Sequence, residues 1–338
     1  MNKLMQMRLL WLLATLAVLA ATGYALLRTP QGTPVTALDT LRIALPNVPH
    51  AALLHIAAAQ GYFAAEGLAV TIVPATHGKA ALEELRQGRA DIAAMAEVVF
   101  LLAVMKGEAL AVAASVASTS SDNRIVARRD RGIVAPRDLA GKKIGVSFGT
   151  GGEYFLWASL IWHKLAPEAV TQVDLPPGRI AAALAQGDID ATATWAPIHL
   201  DARNALGENA VVFTESNAYT LNLLLVGESD FLRGQPRVIE KLLRALLKAE
   251  EFNRTQPEAA LKLVAARLKI YAELLRPAWK DFDFRVDLKQ SQLLTLEDQA
   301  RWAMARGHVA TGPVPNLLPH LYLDALLAVR PDRVSVVH

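Results

Sequence analysis

Between residues 41 and 230 the chain alternates short apolar runs with amphipathic stretches, and no other feature restricts its fold as strongly. LRIALP (41–46), LAVTIVPA (68–75), DIAAMA (91–96), LAVAASVAS (110–118) and RIVARR (124–129) read as strands. KKIGVSF (142–148), VTQVDLP (170–176), IDATATW (189–195), VVFTES (211–216) and LNLLLVGES (221–229) continue the series. Helices are expected over Pro49 to Ala65, about Lys79 to Gln87, 152–165 and Ala181 to Gln186, with Gly67 and Gly88 as stops. Strands that alternate with helices point to parallel sheet covered on both faces, an α/β architecture. After about residue 230 the strands stop. In VIEKLLRALLKAEEF (238–252), Ile239, Leu242, Leu243 and Leu246 share one helical face, and a last helix is expected near Leu317–Val329.

The first 28 residues do not belong to this pattern. Lys3 and Arg8 precede an apolar run from Leu9 to Leu27, the signature of an export segment. Cleavage after Gly23 would free the body, whereas an uncut run is long enough to anchor it to the inner membrane. Residues 29–40, rich in Pro, Gly and Thr, read as a linker. Lys3, Arg8 and Arg28 account for the whole net charge of +3, so the rest is formally neutral. Nothing suggests a nucleic-acid partner, which needs a clustered basic face, and membrane contact is expected only through the leading segment. The chain has no cysteine, which excludes disulfides, thiol catalysis and Cys-ligated metals. Its histidines show no HxxxH spacing, so neither a metal nor another cofactor is expected. At 338 residues the chain is long enough for about two domains.

Gly145-Val-Ser147-Phe-Gly149 matches the GxSxG nucleophile elbow of serine hydrolases, at a strand-to-helix turn. Asp188, Asp190 or Asp201 and then His308 or His320 follow in the order a hydrolase needs. The lead-in Gly141-Lys142-Lys143-Ile144 is short and polar for a central strand, and no HGGG loop lies upstream. A second reading makes Ser147, Thr150, Gly151 and Gly152 an anion cradle, where glycines let amides converge at the start of the helix carrying Tyr154, Phe155 and Trp157. A third is a plain helix cap after a glycine turn. Walker and GxGxxG fingerprints are absent.

Four further motifs stand in register. His55-Ile-Ala-Ala-Ala-Gln-Gly-Tyr-Phe-Ala-Ala-Glu-Gly-Leu-Ala-Val, Leu85-Arg-Gln-Gly-Arg-Ala-Asp-Ile-Ala, Asp138-Leu-Ala-Gly-Lys-Lys-Ile-Gly-Val and Gly187-Asp-Ile-Asp-Ala through Trp195-Ala-Pro follow one another along the chain. Together they resemble the substrate-binding proteins of ATP-binding-cassette importers, in the sulfonate/nitrate/taurine branch (SsuA/THI5-like, NMT1-like). The resemblance covers about residues 41–230 and implies a two-lobed periplasmic-binding-protein fold of type II with two crossing strands and a helical C-terminal segment. Lobe I would take residues 40–125 and 218–338, and lobe II residues 130–214. It also implies a periplasmic location, a small polar or anionic ligand such as a sulfonate, taurine, nitrate or a pyrimidine, and separate permease and ATPase subunits as partners. A membrane-anchored sensor domain is the alternative use of such a fold. The related pyrimidine synthases depend on a cysteine-rich segment, so no enzyme is implied.

Carried over by position, the ligand would meet Asn47 and His50 after the first strand, Glu97 after the third, the Ser147–Gly152 loop (Ser147, Thr150, Gly151 and Gly152), Trp195, and Asn222 near the return crossing. Trp195 suits stacking on a ligand or packing between helix and sheet. Glu97 either faces a cationic group of the ligand or complements the next helix's dipole. His50 reads as a donor to an anion or as an exposed helix-start residue, and His77 and Lys79 as solvated loop residues.

Overall fold

The computed structural model describes residues 38–215 and 218–337, together with positions 2, 5, 7, 11 and 13–16. The expected export segment and the expected linker otherwise lie outside the described residues, apart from 38–40, of which Asp39 and Thr40 already belong to the first strand. Among the described residues no helix is long and apolar enough to cross a membrane. Residues 39–338 form one unit.

Among its described residues, ten strands make two five-stranded sheets. β1 (Asp39–Pro46), β2 (Leu68–Ala75), β3 (Ile92–Ala96), β4 (Leu110–Thr119) and β10 (Leu221–Glu228) form the first, in the order β2-β1-β3-β10-β4. β5 (Arg124–Arg128), β6 (Lys143–Val146), β7 (Thr171–Asp174), β8 (Ala191–Thr194) and β9 (Ala210–Phe213) form the second, in the order β7-β6-β8-β5-β9. The two sheets share one plan. β1 runs parallel to β2 and β3, as β6 does to β7 and β8, and one antiparallel strand completes each: β10 in the first, β5 in the second. The chain therefore passes between sheets twice, once through residues 120–123 and once between the end of β9 at Phe213 and the start of β10 at Leu221. β3, β4 and β10 are buried along almost their whole length, which explains their unbroken apolar sequence.

Helix Pro236–Thr255 buries Ile239, Leu242, Leu243 and Leu246 against the first sheet's helices, as the periodicity predicts. Its other face ties down the sheet's opening: Lys241 meets Asp39 at 2.7 Å and Arg244 meets Glu66 at 3.0 Å.

Three local expectations need correction. The helix expected over 49–65 ends at Ala59 and restarts at Tyr62, because Gly61 adopts the left-handed region at φ 70°. The last helix spans only Asp324–Val329; Pro319 confines the preceding residues to a 3₁₀ turn, Leu318–His320. The C-terminal part also contains extended chain. Residues 283–287 run along the outer edge of β4, with Ser118 N–H donating to Asp283 O and Ser115 N–H to Asp287 O, both at 2.9 Å. Phe282, Phe284, Val286 and Leu288 are buried, an alternation with the period of a strand inside a helical region.

Candidate functional site

In open α/β sheets, ligands bind beyond the carboxyl ends of the parallel strands. Here those ends converge on one cavity. Val48 and His50 follow β1, His77 and Lys79 follow β2, Ala96 ends β3, Thr150 and Gly151 follow β6, and Trp195 follows β8. Asn123 of the first crossing and Leu221 and Leu223 of β10 complete the wall. About 30 Å³ is open to the centre of a water molecule, roughly the room of two or three waters. Val48, Met95, Val99, Leu221 and Leu223 make much of the lining apolar.

The polar lining is one-sided in charge. Among the described residues no carboxylate lines the cavity and none pairs with Lys79. Lys79 Nζ donates instead to the backbone carbonyl of Phe148 at 3.0 Å, a bond from the first sheet's side to the second's. His77 Nδ1 accepts from Ala80 N–H at 3.2 Å and so caps helix Gly78–Arg86. Burial first, and Lys79 second, hold the His77 pKa below its ordinary value. A neutral imidazole that accepts at Nδ1 carries its hydrogen at Nε2. Helix Gly151–Trp162 begins at the opposite wall; Glu153 and Tyr154 N–H both donate to Thr150 O, which leaves the amides of Gly151 and Gly152 without intrahelical acceptors. Lys79, the neutral His77 and this helix start together form an anion-favouring environment.

The expected residues divide. His50, Thr150, Gly151 and Trp195 line the cavity. Trp195 also lies against Gly152, where an added Cβ would stand 2.8 Å from Ala193 O. Gly152 is therefore explained by close helix–sheet packing, and Trp195 serves both packing and lining. Asn47 is exposed while its neighbours Pro46 and Val48 face the cavity. Asn222 is buried outside the lining, its Nδ2 donating to Thr220 O at 3.4 Å.

Glu97 also lies outside the lining. Its Oε1 accepts from Tyr219 Oη at 2.5 Å and Gln299 Nε2 at 2.8 Å, and its Oε2 from Asn222 N–H at 2.8 Å. Every oxygen is engaged, and burial raises its pKa. This carboxyl ties the start of helix Glu97–Met105 to the second crossing and to helix Gln290–Ala305. The oxygens are thus spent on joining these elements, and Glu97 is not part of the cavity wall.

The nucleophile reading of Ser147 fails on geometry. Its hydroxyl donates to Leu175 O at 2.6 Å, while His308 Nε2 is bonded to Glu153 Oε1 and His320 Nδ1 to Leu110 O. The GxSxG glycines have structural causes. A Cβ at Gly145 would collide with Ile189, and Gly149 sits at φ 69°, where its N–H reaches Glu153 Oε2 at 2.7 Å. Thr150 Oγ1 donates to Ser147 O at 2.7 Å, so the loop is held by its own side chains.

Sequence reading missed His77, Lys79 and Asn123. The turns after β1, β3, β6 and β8 were candidates, and the same rule applied to β2 leads directly to His77-Gly-Lys79.

A family model described as NMT1/THI5 like matches residues 47–260. A putative binding protein of Brucella abortus is 25% identical over 221 residues, covering 64% of this chain and 67% of that protein. The taurine-binding periplasmic protein of Escherichia coli is 35% identical over 136 residues, 38% of this chain and 41% of that one. Among solved structures, the periplasmic aliphatic sulphonate binding protein SsuA from Escherichia coli has the same fold. Its TM-score is 0.72 at 17% identity, over 85% of this chain and 98% of that chain.

Proposed function

The chain belongs to the NMT1/THI5-like family, and from that membership we propose that it is the solute-binding component of an ATP-binding-cassette importer. It captures a small anion outside the cytoplasm and delivers it to a permease driven by an ATPase, with the leading apolar segment directing export. Its two sheets act as lobes, residues 40–125 with 218–338 and residues 130–214, which part and close about the two crossings. It acts as a binder and does no chemistry on the ligand.

One observation carries the anion: the cavity brings Lys79, His77 and a helix start together and includes no carboxylate among its described lining. The relatives named for taurine and aliphatic sulphonate support a sulfonate head. Apolar side chains around the rest of the cavity suit a short carbon body and strip water from the anion, which strengthens its attraction to Lys79. With a ligand bound, Lys79 Nζ would exchange the Phe148 carbonyl for the anion.

Calorimetric titration with short alkanesulfonates, nitrate and pyrimidines tests this reading. A sulfonate is expected to bind, and Lys79→Gln to weaken it by roughly 10–100-fold, the worth of one charge-assisted hydrogen bond. Unchanged sulfonate affinity in Lys79→Gln would refute it, as would covalent labelling of Ser147 by a fluorophosphonate.

A further inference from the structure

The anion reading leaves part of the cavity wall unused, and the inference here rests on that reading. Asn123, in the first crossing, lines the cavity, is buried, and its Oδ1 has no hydrogen-bond partner among the described residues. Its neighbour Asp122 is 2% exposed, and its Oδ2 stands 3.5 Å from His50 Nδ1, too far for a good hydrogen bond. Neither of those atoms makes a hydrogen bond to any other described group. Asn123 Oδ1 is thus a buried, unpartnered acceptor in the cavity wall, and His50 in the same wall has only the long contact to Asp122. Domain interiors normally leave few such groups.

We infer that Asn123, with His50 in the same cavity wall, forms a second polar subsite that accepts a hydrogen bond from the ligand. The bound anion therefore carries a hydroxyl, amide or amine donor in addition to its charged head, and a purely aliphatic sulfonate is a poor ligand. Because Asn123 belongs to a crossing, this bond also ties the ligand to the segment about which the lobes move.

Two probes of equal heavy-atom count test the subsite on the full chain: 2-hydroxyethanesulfonate and propane-1-sulfonate. In calorimetric titration the hydroxylated probe is expected to bind about tenfold more tightly, the value of one hydrogen bond. Asn123→Leu is expected to bring the two affinities within about twofold. Should that variant not fold, Asn123→Ala provides a second variant, and the wild-type comparison decides in either case. Equal or tighter binding of propane-1-sulfonate by the wild type overturns the subsite. If both probes bind equally and Lys79→Gln weakens both, the anion reading stands and the subsite falls. If neither probe binds, both fall.

Discussion

Glu97→Gln separates two opposing effects at the second crossing. Three donors, from Tyr219, Gln299 and the Asn222 amide, converge on the Glu97 carboxyl and favour its ionised form. Burial disfavours that form and is the larger influence, so the folded-state pKa is raised. Gln299 Oε1 is buried without a partner, and turning that amide end for end would give a protonated Glu97 an acceptor. Because the folded pKa lies above the unfolded one, the native state binds the extra proton between the two values. The contribution of Glu97 to stability is complete below the ordinary carboxyl value and is lost as pH rises through the raised one. Gln does not titrate. At acid pH, Glu97→Gln turns an amide N–H towards a donor and should cost roughly 1–3 kcal/mol. The deficit should shrink as pH rises and the wild type has to bury a charge. Glu97→Ala leaves three buried donors unpaired and should cost roughly 3–5 kcal/mol. Urea unfolding followed by tryptophan fluorescence at several pH values between 4 and 8 measures both. A Glu97→Gln deficit that widens with pH would show that the hydrogen bonds outweigh burial and would refute this reasoning.

His55 and His199 are each held down to about 4 by burial. The unfolded chain therefore binds more protons than the native one between that value and the usual histidine range, and stability should fall as pH drops through this window. Each contributes about 1.4 kcal/mol per pH unit, and His55→Gln should reduce the slope of unfolding free energy against pH by one proton; an unchanged slope would show that His55 is charged when folded. Gly145→Ala should cost about 1–3 kcal/mol through its collision with Ile189. Part of that loss should return in the Gly145→Ala/Ile189→Val double variant, and no recovery in thermal melts would assign the cost to something other than this contact. Ser147→Ala should lower stability by about 1 kcal/mol by losing its bond to Leu175, with sulfonate affinity unaltered; a large loss of affinity would return Ser147 to the binding site.

Much of the fold is legible because strand burial leaves a direct mark on composition. β4 and β10 are buried along nearly their whole length and are written almost entirely in small and branched apolar residues. The GxSxG pattern misleads for a physical reason: one glycine makes room for Ile189 and the other supplies a left-handed turn, and neither need is specific to a nucleophile. Glu97 shows a different limit. Its position at a helix start is visible in sequence, but its partners Tyr219 and Gln299 lie 122 and 202 residues away. No local pattern announces contacts of that range. Lys79 could have been found, since it stands in the first turn of a helix that leaves a parallel strand. It was obscured by the three charged residues that follow on the same helix, Glu83, Glu84 and Arg86, which give the segment the look of an ordinary solvated face.

The extended segment that borders β4 bears on the order in which the protein can be made. β4 is complete by residue 119, yet its inner neighbour β10 begins at Leu221 and its outer cover at Asp283. While the chain is shorter than that, both sides of its longest strand present unpaired amides and carbonyls, a template for mispairing. The first sheet therefore cannot be completed before the chain has passed through the second, and its closure depends on long-range strand pairing, a kind that is slow in general. A chain cut soon after residue 260, where the family match ends, would retain β10 and leave the β4 edge bare. Such a fragment would self-associate through that edge, so the segment at 283–287 works as an edge guard as well as a brace.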